Sequence, residues 1–262
     1  MFSSFVTKII DVKYGANPLY IHDKLYAVGD VHGENEKLKD LLGKIRALLQ
    51  PSDHLVFCGD LVDRGPDSPG VLKTIRDFKV EHPNTFVVRG NHEEMMCAYA
   101  GLGRCNYSWI HNGGRDTLEQ FLVDWSHREG KSDFREVLEK QNLLGFIQSF
   151  IPYYESEQVI VTHAPFDRNI VAMSGGLDKE PVENLLEAMG DAIRWKFTDE
   201  DTRIPEIEKF RICGHQFNQH KKPRIFKECA FIDTGCGYKP ESPLAAIQFP
   251  GKKTIYGTLP PP

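Results

Sequence analysis

Short apolar runs, each stopped by a glycine or a polar residue, alternate with stretches of helical period through the first hundred residues. Lys24 to Val28 predicts a strand that stops at Gly29-Asp30. In Glu34 to Leu49, the residues Leu38, Leu41, Leu42, Ile45, Leu48 and Leu49 form one helical stripe. His54 to Cys58 predicts a second strand, again ending in Gly-Asp, and Val71 to Phe78 a second helix. Thr85 to Val88 predicts a third strand, ending at Arg89-Gly90-Asn91-His92. Strands separated by helices imply βαβ units and a largely parallel sheet.

From about Thr117 to Phe150 the pattern is helical, interrupted by a polar segment around Gly130. After Tyr153 it changes again. Gln158 to Val161, Phe210 to Cys213, Arg224 to Phe226, Ala230 to Ile232, Leu244 to Phe249 and Thr254 to Tyr256 are short strand candidates joined by brief turns. They predict a second sheet of antiparallel character. The expected fold is therefore α/β (α+β): a two-sheet sandwich core flanked by helices. No repeat, low-complexity tract or linker divides the sequence, so one domain is expected over 1–262, its motif-bearing core at about 24–250.

Composition adds little but excludes much. With 262 residues, 40% hydrophobic and 26% charged, the sequence is that of a globular protein able to bury a core without staples. The formal charge of -5 argues against stable nucleic-acid binding, which calls for an excess of Lys and Arg. The six cysteines form no CxxC pair, which predicts reduced thiols and a cytoplasmic location. MFSSFVTKIIDVKYG reads as no signal peptide, and no apolar run has membrane-spanning length, so no membrane partner is expected.

The chemistry lies where the strands end. Asp30 and His32 stand in GDVHG, Asp60 and Asp63 in GDLVDRG, Asn91 and His92 in RGNHE. His163 and His215 follow two later strands. Taken singly, Gly-Asp is an ordinary turn and a lone histidine an ordinary core residue. The carboxyl ends of neighbouring strands, however, converge on one crevice in α/β sheets. Carboxylate, amide and imidazole together suit manganese, iron, zinc or nickel, and so many ligands exceed the needs of one ion. Two divalent ions with a bridging carboxylate fit the count.

GDVHG at 29–33, GDLVDRGPDS at 59–68 and VRGNHE at 88–93 resemble the signature of the phosphoprotein phosphatase family of metallophosphoesterases, which has a calcineurin-like fold. The likeness is greatest to the bacterial and bacteriophage lambda-type serine/threonine protein phosphatases. WIHNGG at 109–114, VIVTHAPFD at 159–167, ICGH at 212–215 and FIDTG at 231–235 extend it in order along most of the chain.

The resemblance implies one ion on Asp30, His32 and Asp60, and a second on Asp60, Asn91, His163 and His215. Manganese is the metal it favours. It implies in-line attack on phosphorus by a hydroxide shared between the ions. Arg64, Asn91 and Arg194 would contact the substrate phosphate. His92 would be the general acid, oriented by Asp63. The implied substrates are phosphoproteins or small phosphoesters.

The sequence also departs from the family. The arginine usually found two positions after a late tryptophan is missing, since Trp195 is followed by Lys196 and Phe197 and only preceded by Arg194. The stretch GCGYKPESPLAAIQF replaces the usual Gly-rich return, so the cleft wall near Cys236 and Tyr238 is expected to differ. Lys221, Lys222 and Arg224 read as a solvated face. Symmetrical dinucleoside tetraphosphate hydrolases resemble this family with GDLVARGP, where this chain has GDLVDRGP. That reading, a 2′,3′-cyclic nucleotide phosphodiesterase and a silent binding module are the alternatives.

Overall fold

The computed structural model describes residues 23–103, 108–122, 131–167, 169, 171, 172, 203–205, 207–217 and 219–258. In chain order the elements begin with β1 (Leu25–Val28), α1 (Asn35–Arg46), β2 (His54–Phe57), α2 (Ser68–Glu81), β3 (Thr85–Val87) and α3 (Asn91–Tyr99). Next come α4 (Gly114–Leu122), α5 (Lys131–Lys140) and α6 (Leu144–Gln148). The rest are strands: β4 (Tyr154–Glu155), β5 (Val159–Thr162), β6 (Phe210–Cys213), β7 (Arg224–Ile225), β8 (Cys229–Phe231), β9 (Leu244–Phe249) and β10 (Lys253–Gly257).

The strands form two five-stranded sheets, ordered β10-β9-β1-β2-β3 and β4-β5-β6-β8-β7. Strand alternation decides which core each residue joins. Tyr26, Val28, Leu55, Phe57 and Val87 face the helices, packing with Leu38, Leu41 and Ile45 of α1 and Val71, Leu72 and Ile75 of α2. The alternate residues Leu25, Ala27, Val56, Cys58, Phe86 and Val88 meet Val159, Val161, Ile212, Ala230 and Ile232 between the sheets. The expected two-sheet sandwich with flanking helices is therefore the observed one.

Two expectations about the sheets need correction. β9 and β10 belong to the first sheet, β9 running antiparallel to β1 with Leu25 opposite Phe249. The second sheet is parallel at its centre, through β5–β6 and β6–β8, and antiparallel only at its edges. Period-two patterning marks a strand but not its neighbours. β9 is buried on both faces, its Leu244 and Ala246 toward the helices and its Ile247 and Phe249 between the sheets.

Helix α2 starts earlier than its apolar stripe suggests. The Asp67 carboxylate accepts from Gly70 N at 2.8 Å, and Pro69 fits the first turn, where its missing N–H costs nothing. Helix α3 was not expected at all, since NHEEMMCAY carries no clear apolar stripe. Among the described residues no helix is long and apolar enough to cross a membrane.

Candidate active site

Five strand ends deliver the polar residues to one place. Asp30 follows β1, Asp60 follows β2, Asn91 and His92 open α3 just beyond β3, His163 follows β5 and His215 follows β6. All but the half-buried His215 are buried. The backbone there is unusual: His32, Asp60, Asp63, Arg64 and His215 take φ of 44°, 49°, 74°, 69° and 67°. Left-handed backbone is uncommon for any residue but glycine, even for the Asp and His that take it more readily than most, so surrounding contacts help to hold it.

Glu93 provides many of those contacts. Its carboxylate accepts from the backbone N–H groups of Asp60 (2.9 Å), Leu61 (2.8 Å), Val62 (3.3 Å) and Gly90 (3.0 Å). One buried side chain thereby ties the turn after β2 to the start of α3. The glycine of RGNHE is a steric requirement, because a Cβ on Gly90 would lie 2.2 Å from Asp60 Oδ1.

The histidine tautomers can be read from their partners. Nδ1 of His32 is 2.9 Å from the Val62 carbonyl and Nδ1 of His163 is 2.8 Å from the Cys58 carbonyl. A carbonyl only accepts, so each Nδ1 carries the proton, and in the neutral ring each Nε2 presents a lone pair. The His163 Nε2 lies 3.0 Å from Asn91 Oδ1, 3.1 Å from His215 Nδ1 and 3.4 Å from Asp60 Oδ1. On the other side of Asp60, the His32 Nε2 is 3.7 Å and the His92 Nε2 3.8 Å from Oδ2.

Ligand atoms of His32, Asp60 and His92 lie within 4.8 Å of one another, as do those of Asp60, His163 and His215. Asp60 is common to both groups, the place expected for a bridging carboxylate. The Asp30 carboxylate lies alongside and accepts from the His215 backbone N–H at 3.0 and 3.1 Å. Burial, with Asp233 and Asp60 nearby, pushes the Asp30 carboxyl well above its usual range. Asp233, after β8, is likewise pushed up to about 7, chiefly by burial, and its buried Oδ2 has no hydrogen-bond partner. Converging lone pairs and crowded buried carboxylates are the donor set that divalent cations satisfy, so these residues fit a two-ion centre.

A second constellation shares His92 with the first. His92 Nδ1 is 2.6 Å from Asp63 Oδ2, and Trp109 Nε1 donates to the same oxygen at 2.9 Å. The Asp63 backbone N–H donates to Ser68 Oγ and Thr117 Oγ1, both at 3.0 Å. Burial alone would lower the His92 pKa, but the Asp60 charge and the Asp63 hydrogen bond outweigh it and hold it above its usual value. The Arg64 guanidinium is half-buried, against the His32 ring on one side and over the Tyr238 ring at 4.1 Å on the other.

The structure thus brings together Asp30, His32, Asp60, Asp63, Arg64, Asn91, His92, His163 and His215. Arg194 lies outside the described residues. Sequence reasoning missed the supporting roles of Glu93, Trp109, Thr117 and Asp233. Glu93 and Trp109 stand inside recognised motifs, but their tasks depend on partners some thirty and forty-six positions away.

Residues 24–246 match the family model described as calcineurin-like phosphoesterase. An asymmetrical bis(5′-nucleosyl)-tetraphosphatase of Oceanobacillus iheyensis is 27% identical over 253 residues, covering 88% of this chain and 91% of that protein. Serine/threonine-protein phosphatase 1 of Salmonella typhimurium is 39% identical over 90 residues, 34% of this chain and 38% of that one. Among solved structures, a cold-active protein-tyrosine phosphatase of Shewanella superposes with a TM-score of 0.57 at 16% identity, covering 90% of this chain and 80% of that one.

Proposed function

The chain belongs to the calcineurin-like phosphoesterase family, and from that premise we propose that it is a two-cation phosphohydrolase whose substrate is a dinucleoside tetraphosphate. The observation that carries the reaction class is the cluster around Asp60, which joins two groups of ligand-type atoms and, through the His92 ring, the Asp63 carboxylate. The substrate reading is supported by the tetraphosphatase that aligns along nearly the whole of both chains. Its asymmetrical type was not among the alternatives read from the sequence, which considered only symmetrical cleavage.

Asp30, His32, Asp60, Asn91, His163 and His215 would hold the ions. Bound there, the cations would neutralise charge on the phosphoryl oxygens and acidify a water. The remaining work falls to the protein. Arg64, with Asn91, would bind phosphoryl oxygens, the electrostatic contribution that dominates phosphoryl transfer. His92 would deliver the proton on Nε2 to the departing oxygen. Asp63 would keep Nδ1 protonated and the ring aimed, while Trp109 fixes Asp63.

A serine/threonine phosphoprotein is the second reading. The same acid pair favours it, because an alkoxide leaving group needs protonation far more than a nucleotide does. The local match to the Salmonella phosphatase points the same way. A manganese-supplemented panel of diadenosine tetraphosphate, phosphoserine, phosphothreonine and phosphotyrosine peptides, and 2′,3′-cyclic AMP separates the readings. Release of ATP and AMP from the tetraphosphate, faster than any phosphopeptide turnover, is the expected result. Two molecules of ADP would indicate symmetrical cleavage. Peptide turnover alone would transfer the assignment to a protein phosphatase.

A further inference from the structure

Two exposed aromatic rings lie at the mouth of the site, and neither the ligand groups nor the acid pair uses them. Tyr238 is 44% and Phe217 40% exposed, although rings of this size are normally better covered. Their centroids are 4.6 Å apart with planes inclined at 38°. Both are anchored to the catalytic layer. Phe217 comes two residues after His215 on the same turn. Tyr238 comes from the loop between β8 and β9, which is laid tightly on His32: Gly237 has φ 81°, and a Cβ there would lie 2.4 Å from His32 Cβ. The Tyr238 ring stands edge-on to His32 at 5.6 Å and carries the Arg64 guanidinium on its face.

A fixed aromatic surface therefore starts at the candidate phosphate-binding residue and runs outward through Tyr238 to Phe217. We infer that Tyr238 and Phe217 form a platform on which the base of a nucleotide stacks while its phosphate is held at Arg64 and the ligand cluster. This rests on the reading of the substrate as a nucleoside polyphosphate. Tyr238 adjoins Arg64 and Phe217 adjoins Tyr238, an extended surface that suits a base carried on a ribose better than a ring bonded directly to the phosphorus-bearing oxygen. Stacking is tolerant of base identity, because every base has a π face. The platform accordingly selects for the presence of a base, and adenine and guanine nucleotides should bind alike.

The test compares two inhibitors of p-nitrophenyl phosphate hydrolysis by the chain supplied with manganese: 5′-AMP and ribose 5-phosphate, which differ at C1′ by the base. The wild type should bind AMP roughly 5- to 150-fold more tightly, as expected for one base on an aromatic surface. Phe217→Ala should remove most of that ratio. Phe217→Leu, which keeps the apolar bulk, guards against loss of fold and should do the same, whereas Tyr238→Phe should preserve the ratio. A ratio near one in the wild type, or an undiminished ratio in both Phe217 variants with unchanged melting temperatures, would overturn the inference. So would a loss confined to phosphotyrosine peptides, which would assign the rings to a phenol. A strong AMP preference without tetraphosphate cleavage would retire the substrate reading and leave the platform standing.

Discussion

Asp63 reaches His92 at 2.6 Å through the same oxygen that accepts from the Trp109 indole at 2.9 Å. The imidazole is therefore aimed by a carboxylate that is itself held from behind, all three side chains being buried. If His92 is the general acid, its importance should rise as the leaving group becomes poorer. General acid catalysis typically contributes about 10² to 10⁴ in rate. His92→Asn should lose on that order on a phosphoserine peptide and far less on p-nitrophenyl phosphate. Asp63→Asn should follow the same ordering more mildly. Equal losses on both substrates, with metal content intact, would place His92 in phosphate or metal binding instead.

Trp109→Phe tests the support behind Asp63. Phenylalanine keeps the packing against Tyr99 and Phe134 but removes the indole N–H. A hydrogen bond to a charged group contributes about 1.5–3 kcal/mol, so some stability should go with it. The diagnostic change is a drop in kcat with KM nearly constant, steeper for alkyl than for nitrophenyl esters. A purely structural tryptophan would lower the melting temperature and leave the leaving-group dependence of the wild type untouched.

Metal removal should destabilise the fold as well as stop the reaction, because a cation that binds only the folded state adds its binding free energy to stability. At an ion concentration about 100 times Kd the gain is about 2.7 kcal/mol. EDTA should lower the melting temperature by several degrees, and manganese should restore it. Two ions per chain are expected by elemental analysis, and Asp60→Asn should weaken both sites because Asp60 is shared. A single ion in the active enzyme, or full occupancy in the variant, would refute the bridging role.

Glu93→Gln tests the clamp beneath the turn. The amide keeps one acceptor oxygen and turns an NH₂ group toward backbone donors that now have no partner. An unsatisfied buried donor costs about 1–3 kcal/mol, so the variant should melt several degrees lower. Activity should fall more than the folded fraction does, since Asp60 and Asp63 ride on that turn. A variant with wild-type kcat and a lowered melting temperature would make Glu93 a contributor to stability alone.

Most of this site could be read from the sequence because its chemistry is written at strand ends. Asp30, Asp60, Asn91, His163 and His215 each follow a short apolar run, and a parallel arrangement must gather such positions on one edge. What local patterning could not supply was partnership. β9 and β10 look like strands from either side of the sandwich, and only tertiary pairing puts them next to β1. Helix α3 was invisible because its buried face is built from His92, Glu93, Met95 and Met96, which mixes polar side chains into the stripe. Glu93 and Trp109 carry no signal of their tasks, because each acts on residues distant in sequence.

The left-handed backbone at His32, Arg64 and His215 has a consequence for evolution and engineering. Each of these residues resides where glycine would be cheaper, by something on the order of 1 kcal/mol. Backbone preference alone would therefore favour glycine or asparagine at these three positions, against the side-chain contacts and proposed ion ligands they supply. If these residues hold ions and phosphate as proposed, glycine there would relieve the backbone and dismantle the site. Thermostabilised variants of this protein should be sought with these positions frozen, and their natural retention in any homologue would itself report that turnover, and not mere persistence of the fold, is under selection there.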